Sequence, residues 1–260
     1  ISPYFNANPK KYISALVSED CWQATPGKVV DLVRNLGIAA GGTVMEDCRV
    51  LEACREGKYT SVLVQTHDKK YVEYRTEHFV NALGSGAGKL CDSMGIDAGL
   101  YPVRHQAFIT RRLPMLGKHG TNLDMLIDRQ DYKGFSAVYG QQIAYTGQII
   151  GCASPKLDAM RIDKNLKVNT KAFLEIVSEM FSEWIPDLAG VGIQAVWAGY
   201  YTEPRYIVDP ELGLFVGMRG HGFMLSQYIA RMYVDKLLGR PVPEYFEKLK
   251  LNGPGLSEKA

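Results

Sequence analysis

The sequence predicts an α/β chain carrying an α+β insert, in which a mainly antiparallel β-sheet interrupts helix-and-strand flanks. Three observations predict it. A helix and β-branched strands alternate before residue 97, short strands with glycine or charged turns fill about 100–151, and strand-turn-helix returns after 193. A chain of 260 residues holds one large domain or two modest ones. The expected parts are 1–96, an inserted domain over 97–195, a return over 196–250, and a loose tail over 251–260.

Thr25 and Pro26 stand as N-cap and first helical residue of the opening helix, and Gly41-Gly42 stop it. Val29, Val30, Leu32, Val33, Leu36 and Ala40 fall at helical spacing. Strands are expected at Thr43–Cys54, Tyr59–Thr66 and Tyr71–Val80, separated by the turn signals REGK and HDKK. YPVRHQAFITRRL, LDMLID, FSAVYG and YTGQIIG then read as short strands. A helix over Val168–Trp184 ends before Pro186, strands follow at Ile193–Tyr201 and Leu214–Gly217, and Phe223–Leu238 closes at Gly239.

Lys and Arg number 30 against 28 Asp and Glu, and a net charge of +2 excludes a basic nucleic-acid footprint. Cys21, Cys48, Cys54, Cys91 and Cys152 form no CxxC and no zinc spacing. No metal site is expected, and the scattered thiols read as reduced core residues of a cytoplasmic protein. Trp22, Trp184 and Trp197 read as core as well. No apolar run reaches membrane-spanning length. The chain begins without Met, at ISPYF, as a fragment or processed chain would.

Glycine is high, 26 residues or about 10% against a usual ~7%. Gly217, Gly220 and Gly222 gather where a strand yields to the last helix. Such a turn lets backbone amides and a helix N-terminus approach electron-rich ligand atoms. It also suits a tight β-α corner that needs positive φ alone, and His221 between two glycines suits a structural role better than proton transfer.

VGMRGHGFMLSQ, preceded by AGYYTEPRYIVDPELGLF, resembles the carboxy-terminal signature of the FAD-dependent D-amino-acid oxidase superfamily, in its sarcosine oxidase, glycine oxidase and dye-linked proline dehydrogenase branch. EHFVNALGSGAGKL and the segment from Ser18 to Ala53 are similar to two further stretches of that family. The resemblance implies an FAD-binding Rossmann-like portion with an inserted substrate domain. It also implies cofactor contacts at Val50, Ala82, Gly84, Ser85 and Gly86, and at Gly217, Met218, Arg219, Gly220, His221, Gly222, Phe223 and Met224. The family's strand-GxGxxG-helix opening is absent, so an amino-terminal FAD-binding segment or partner chain is expected, in an oligomer.

Gly199 stands where covalent family members carry a cysteine, so FAD is expected to be non-covalent. Met224 and Gln148 stand where the family's sarcosine oxidases, though not its glycine oxidases, place lysines, which favours a dehydrogenase over an oxidase. Tyr201 matches a family active-site tyrosine, and Tyr200 points to the other face. Arg205, Arg219, Met125 and Asp128 are substrate-binding candidates. Their plainer readings are a strand-end arginine, a turn arginine, a core methionine and a turn aspartate. Arg104 matches a strand beside the family's site, with a structural role the plainer reading. The expected reaction is hydride transfer from the carbon beside an amine, as in proline, sarcosine or glycine, to flavin N5. The alternative is a non-catalytic assembly or regulatory subunit. A nicotinamide enzyme using GSGAG as a phosphate loop fits least, because no acidic partner follows it.

Overall fold

The computed structural model describes residues 16–18, 20–117, 123–129, 134–155, 170–186 and 189–253. In chain order the elements are α1 (Pro26–Ala39), β1 (Arg49–Glu56), β2 (Tyr59–Gln65), β3 (Tyr71–Thr76), α2 (Ala87–Ser93), β4 (Tyr101–Thr110), β5 (Leu126–Asp128), β6 (Phe135–Ile143), β7 (Gln148–Pro155), α3 (Thr170–Trp184), β8 (Ile193–Glu203), β9 (Ile207–Asp209), β10 (Leu214–Val216) and α4 (Gly222–Leu237). They form two compact units. One is built on Pro102–Tyr201, the other on Ser18–Tyr101 together with the chain from Thr202 onward. The changeovers fall inside β4 and β8, a few residues beyond the expected limits at 97 and 195.

The first unit is a five-stranded sheet in the order β5-β6-β7-β4-β8, with antiparallel β5–β6, β6–β7 and β4–β7 pairs. Its core holds Phe108, Val138, Ile149 and Ala153 with Phe173, Val177, Met180, Phe181 and Trp184 of α3. Gly140, Gly151 and Phe108 form a row across β6, β7 and β4. A Cβ on Gly140 would collide with the Phe181 ring, and one on Gly151 with the Phe108 ring. Bare backbone in that row lets two phenyl rings, 5.2 Å apart and edge-to-face, lie against the sheet.

In the second unit β1, β2 and β3 form an antiparallel sheet that packs Ala53, Val62 and Val64 against Leu90 of α2. The register shifts between Val50 and Glu52, a bulge that follows a loop in which Asp47 takes φ 54°. This loop delays β1, which was expected from Thr43. The strand expected over Tyr71–Val80 ends at Thr76, and beyond it Asn81 makes an isolated parallel bridge to Leu214. Asn81 is buried, and its side chain binds the Ala87 carbonyl and the Leu83 amide at 3.1 and 3.2 Å. β9 and β10 pair antiparallel, and α4 lays Ile229, Met232 and Tyr233 on Val208, Phe246 and Leu249.

α1 has no buried residue: Val30, Leu32 and Leu36 are 61%, 58% and 60% exposed, because no described residue covers its apolar face. Thr25 is its N-cap residue in extended conformation and Pro26 its first helical residue, as expected, although the Thr25 side chain makes no capping bond. Of the cysteines and tryptophans read as core, only Cys91, Cys152 and Trp184 are buried; Cys21, Cys54, Trp22 and Trp197 are exposed. At the start of the tail, Leu251 and Gly253 are anchored, since both carbonyls accept from the Arg205 guanidinium. Residues 254–260 lie outside the described residues.

Candidate functional site

In the second unit, Asn81 and Leu214 run parallel at their bridge, so the chain segments beyond them leave at the same end. Each leads into a glycine turn and then a helix: Gly84–Gly86 into α2, and Gly217–His221 into α4. Ala82, Gly84, Ser85 and Gly86 are all exposed, and a Cβ on Gly84 would meet nothing. Val50 is half-buried on β1, opposite Val64.

Gly217 takes φ 71°, and a Cβ there would strike the Arg205 carbonyl oxygen. Arg219 takes φ 49°, which an L side chain rarely adopts. Its Nε donates to Glu203 Oε2 at 2.7 Å, and Glu203 itself is buried. Tyr206 Oη and His221 Nδ1 share a hydrogen bond of 2.5 Å. Burial raises the Tyr206 pKa, with Arg219 opposing and Glu203 adding to the shift. No side chain caps α4, so its first-turn amides keep their donors for a ligand or water. Gly220, His221, Phe223 and Met224 are exposed around them, while Met218 and Gly222 are half-buried.

In the first unit, Cys152 is the register partner of both Tyr139 and Ala107, which puts those side chains on one face of the sheet. His105, two residues before Ala107, shares that face. The Tyr201 ring stacks on His105 with centroids 3.8 Å apart, and its hydroxyl lies 3.3 Å from that of Tyr139. This face is opposite the one that α3 covers. Burial pushes His105 down to about 4 and Cys152 up to about 11, and it raises Tyr139 strongly. Imidazole, thiol and the Tyr139 phenol are therefore uncharged at neutral pH. His105 Nδ1 is buried with no protein partner among the described residues.

The structure separates some of the predicted substrate residues. Asp128 is buried opposite Val138, on the α3 side of the sheet, and so faces away from Tyr139 and Tyr201. Met125 precedes β5 and is half-exposed. Arg205 is engaged by the carbonyls of Leu251 and Gly253. Gln148 Nε2 donates to the Thr110 carbonyl and to Gln194 Oε1 at 3.1 and 2.7 Å. Tyr200 is half-buried and Arg104 buried. The sequence reading missed His105 and Tyr139. Only strand register brings them to Tyr201, and no local motif marks them.

The chain thus combines a unit with two open glycine turns and, interrupting it in sequence, a unit built on an antiparallel sheet with a polar aromatic face. The chain belongs to the FAD dependent oxidoreductase family DAO, whose model matches residues 2–236. This is the family that the GHGF segment resembles. L-Proline dehydrogenase from P. horikoshii is similar, with a TM-score of 0.67 and 24% identity over 87% of this chain and 59% of that one. Glycine oxidase from Geobacillus kaustophilus gives 0.61 and 18%, over 83% of this chain and 54% of that one. Glycine oxidase from Bacillus cereus gives 0.64 and 18%, over 85% and 57%. These likenesses show the fold, and the chain spans somewhat more than half the length of those proteins. No curated protein matches the sequence. No helix among the described residues is long and apolar enough to cross a membrane.

The chemistry of the residues at the start of α4 suits the FAD that the family implies. Uncapped amides at the start of α4 offer donors to ring oxygens, and exposed Phe223 and Met224 offer apolar contact to a flat heterocycle.

Proposed function

We propose that this chain is the catalytic and substrate-binding portion of an FAD-dependent amine or amino-acid dehydrogenase, acting on an amine such as proline, sarcosine or glycine. The observation that carries the reading is the sheet face on which His105, Tyr139 and Cys152 are uncharged and the Tyr201 ring stacks on His105. The burial that lowers the His105 pKa would likewise disfavour an ammonium held on that face and so favour the free amine. Loss of hydride from the adjacent carbon needs that nitrogen lone pair. The chemistry that FAD supplies when bound is acceptance of the hydride. Tyr201 orients the substrate through its hydroxyl, held by Tyr139 from the edge and by His105 from the ring face. His105 Nδ1 is left to hydrogen-bond the ligand.

The Gly217–Met224 turn would hold the ring non-covalently, with Gly84–Gly86 and Val50 lining the same cofactor. Reduction of an acceptor other than oxygen is favoured by Met224 after the turn and by Gln148, tied to Thr110 and Gln194, in place of cations. Arg205 leaves the substrate set, because its guanidinium pins the C-terminal turn. A segment carrying the dinucleotide fingerprint is proposed to cover the exposed apolar side chains of α1 and of α4, where Phe223, Met224 and Tyr228 stand 45%, 67% and 57% exposed.

The test is anaerobic addition of L-proline, sarcosine and glycine to the native preparation, co-purified with that segment, while flavin absorbance is followed. Bleaching by one of them is expected. A flavin-free preparation, or a flavin indifferent to every amine tried, would turn the reading to an assembly subunit. Tyr201→Phe is expected to slow bleaching about tenfold, the effect of one hydrogen bond to a reacting substrate, with Tyr139→Phe smaller. Stopped-flow reduction rates measure both.

A further inference from the structure

Four residues of one segment meet the turn that opens α4. Glu203 accepts from Arg219 Nε at 2.7 Å, and the Arg205 carbonyl occupies the space a side chain at 217 would need. Tyr206 binds His221 at 2.5 Å, and Ile207 pairs with Val216 as β9 meets β10. The turn therefore lies along Glu203–Ile207 as on a template. Arg219 is the one non-glycine residue of the turn at positive φ, 49°, a conformation that costs an L residue on the order of 1 kcal/mol. Glu203 is buried, 9% exposed, and a buried carboxylate requires a partner. The ion pair satisfies the carboxylate and holds the arginine backbone in its left-handed state at once.

We infer that Glu203 and Tyr206 are positioning residues that set the Gly217–Gly222 turn before any cofactor arrives, and that Arg219 serves the backbone of that turn rather than a substrate carboxylate. The inference rests on the reading that this turn faces FAD. A turn fixed in advance loses less conformational freedom when its amides take up a ligand, so its preorganisation appears as cofactor affinity. Gln at 203 keeps an oxygen for Arg219 Nε, whereas Ala removes this bond from an arginine held at positive φ.

Hydrogen–deuterium exchange of amides 218–222, in the full chain with its co-purified partners and no added FAD, tests this without catalysis. Glu203→Ala is expected to speed exchange there about tenfold and to weaken FAD binding about tenfold, with Glu203→Gln close to wild type. Arg219→Gly and Arg219→Ala lose the same ion pair, but only alanine must bear positive φ, so glycine should bind FAD more tightly than alanine. Unchanged exchange in Glu203→Ala overturns the inference, as does equal FAD affinity of the two Arg219 variants. Should Glu203→Ala melt below the assay temperature, the Arg219 pair decides alone. If wild type takes up no FAD, the functional reading fails, and exchange at 218–222 still decides whether Glu203 sets the turn.

Discussion

Gly217→Ala is expected to destabilise the unit built on Ser18–Tyr101 and the chain from Thr202 by about 4 kcal/mol and to abolish flavin retention. Two effects combine in it. The backbone sits at φ 71°, and the added Cβ meets the Arg205 carbonyl oxygen, which belongs to backbone rather than to a side chain that can swing away. Gly239→Ala is the control: its φ is 68°, but a Cβ there meets nothing within 4 Å. That variant should lose about 1 kcal/mol, from conformation alone. Thermal melts of the two variants separate the clash from the strain. Equal losses would place the cost of Gly217→Ala in φ and leave the template contact without energetic weight.

The second large effect is acid sensitivity of the unit built on Pro102–Tyr201. His105 titrates near 4 when folded, against 6.5 for the free side chain, because burial penalises the imidazolium. Between those values the unfolded chain binds more protons than the folded one, so stability rises with pH across that window and is lost as pH falls from 6.5 towards 4. The loss amounts to about 3 kcal/mol at full extent. Cys152 and Tyr139, both shifted upward, stay protonated throughout and contribute nothing to the slope. His105→Phe should flatten this dependence while keeping an aromatic ring on Tyr201. Melting temperatures at pH 7 and pH 5 for the two proteins are the measurement. A slope that survives in His105→Phe would assign the acid sensitivity to another group.

The elements that local chemistry defines were legible in the sequence. α3 ends at Trp184 before Ile185 and Pro186, α4 ends before Gly239 at φ 68°, and β2 and β3 flank a turn in which Lys69 takes φ 64°. Elements defined by distant partners were not. Asn81 makes its bridge to Leu214, more than a hundred residues away, a pairing that no local pattern announces. β9 is three residues long and exists through β10. The GHGF turn was legible from its glycines, but the ion pair between Glu203 and Arg219 was not, because 16 residues and two strands separate them. His105 was hidden for the same reason: its place against Tyr201 follows from β4 lying beside β8, a fact of sheet order and not of spacing. The amphipathic pattern of α1 was read correctly as helical. Periodicity says which face is apolar, but not whether anything covers it.

The strand order has one more consequence. The chain enters the five-stranded sheet on β4 and leaves it on β8, and those two strands are neighbours. Entry and exit side by side make Pro102–Tyr201 a cassette in the engineer's sense. A different sheet with the same pair of adjacent strands can be spliced in at two junctions, without rerouting the polypeptide that frames it.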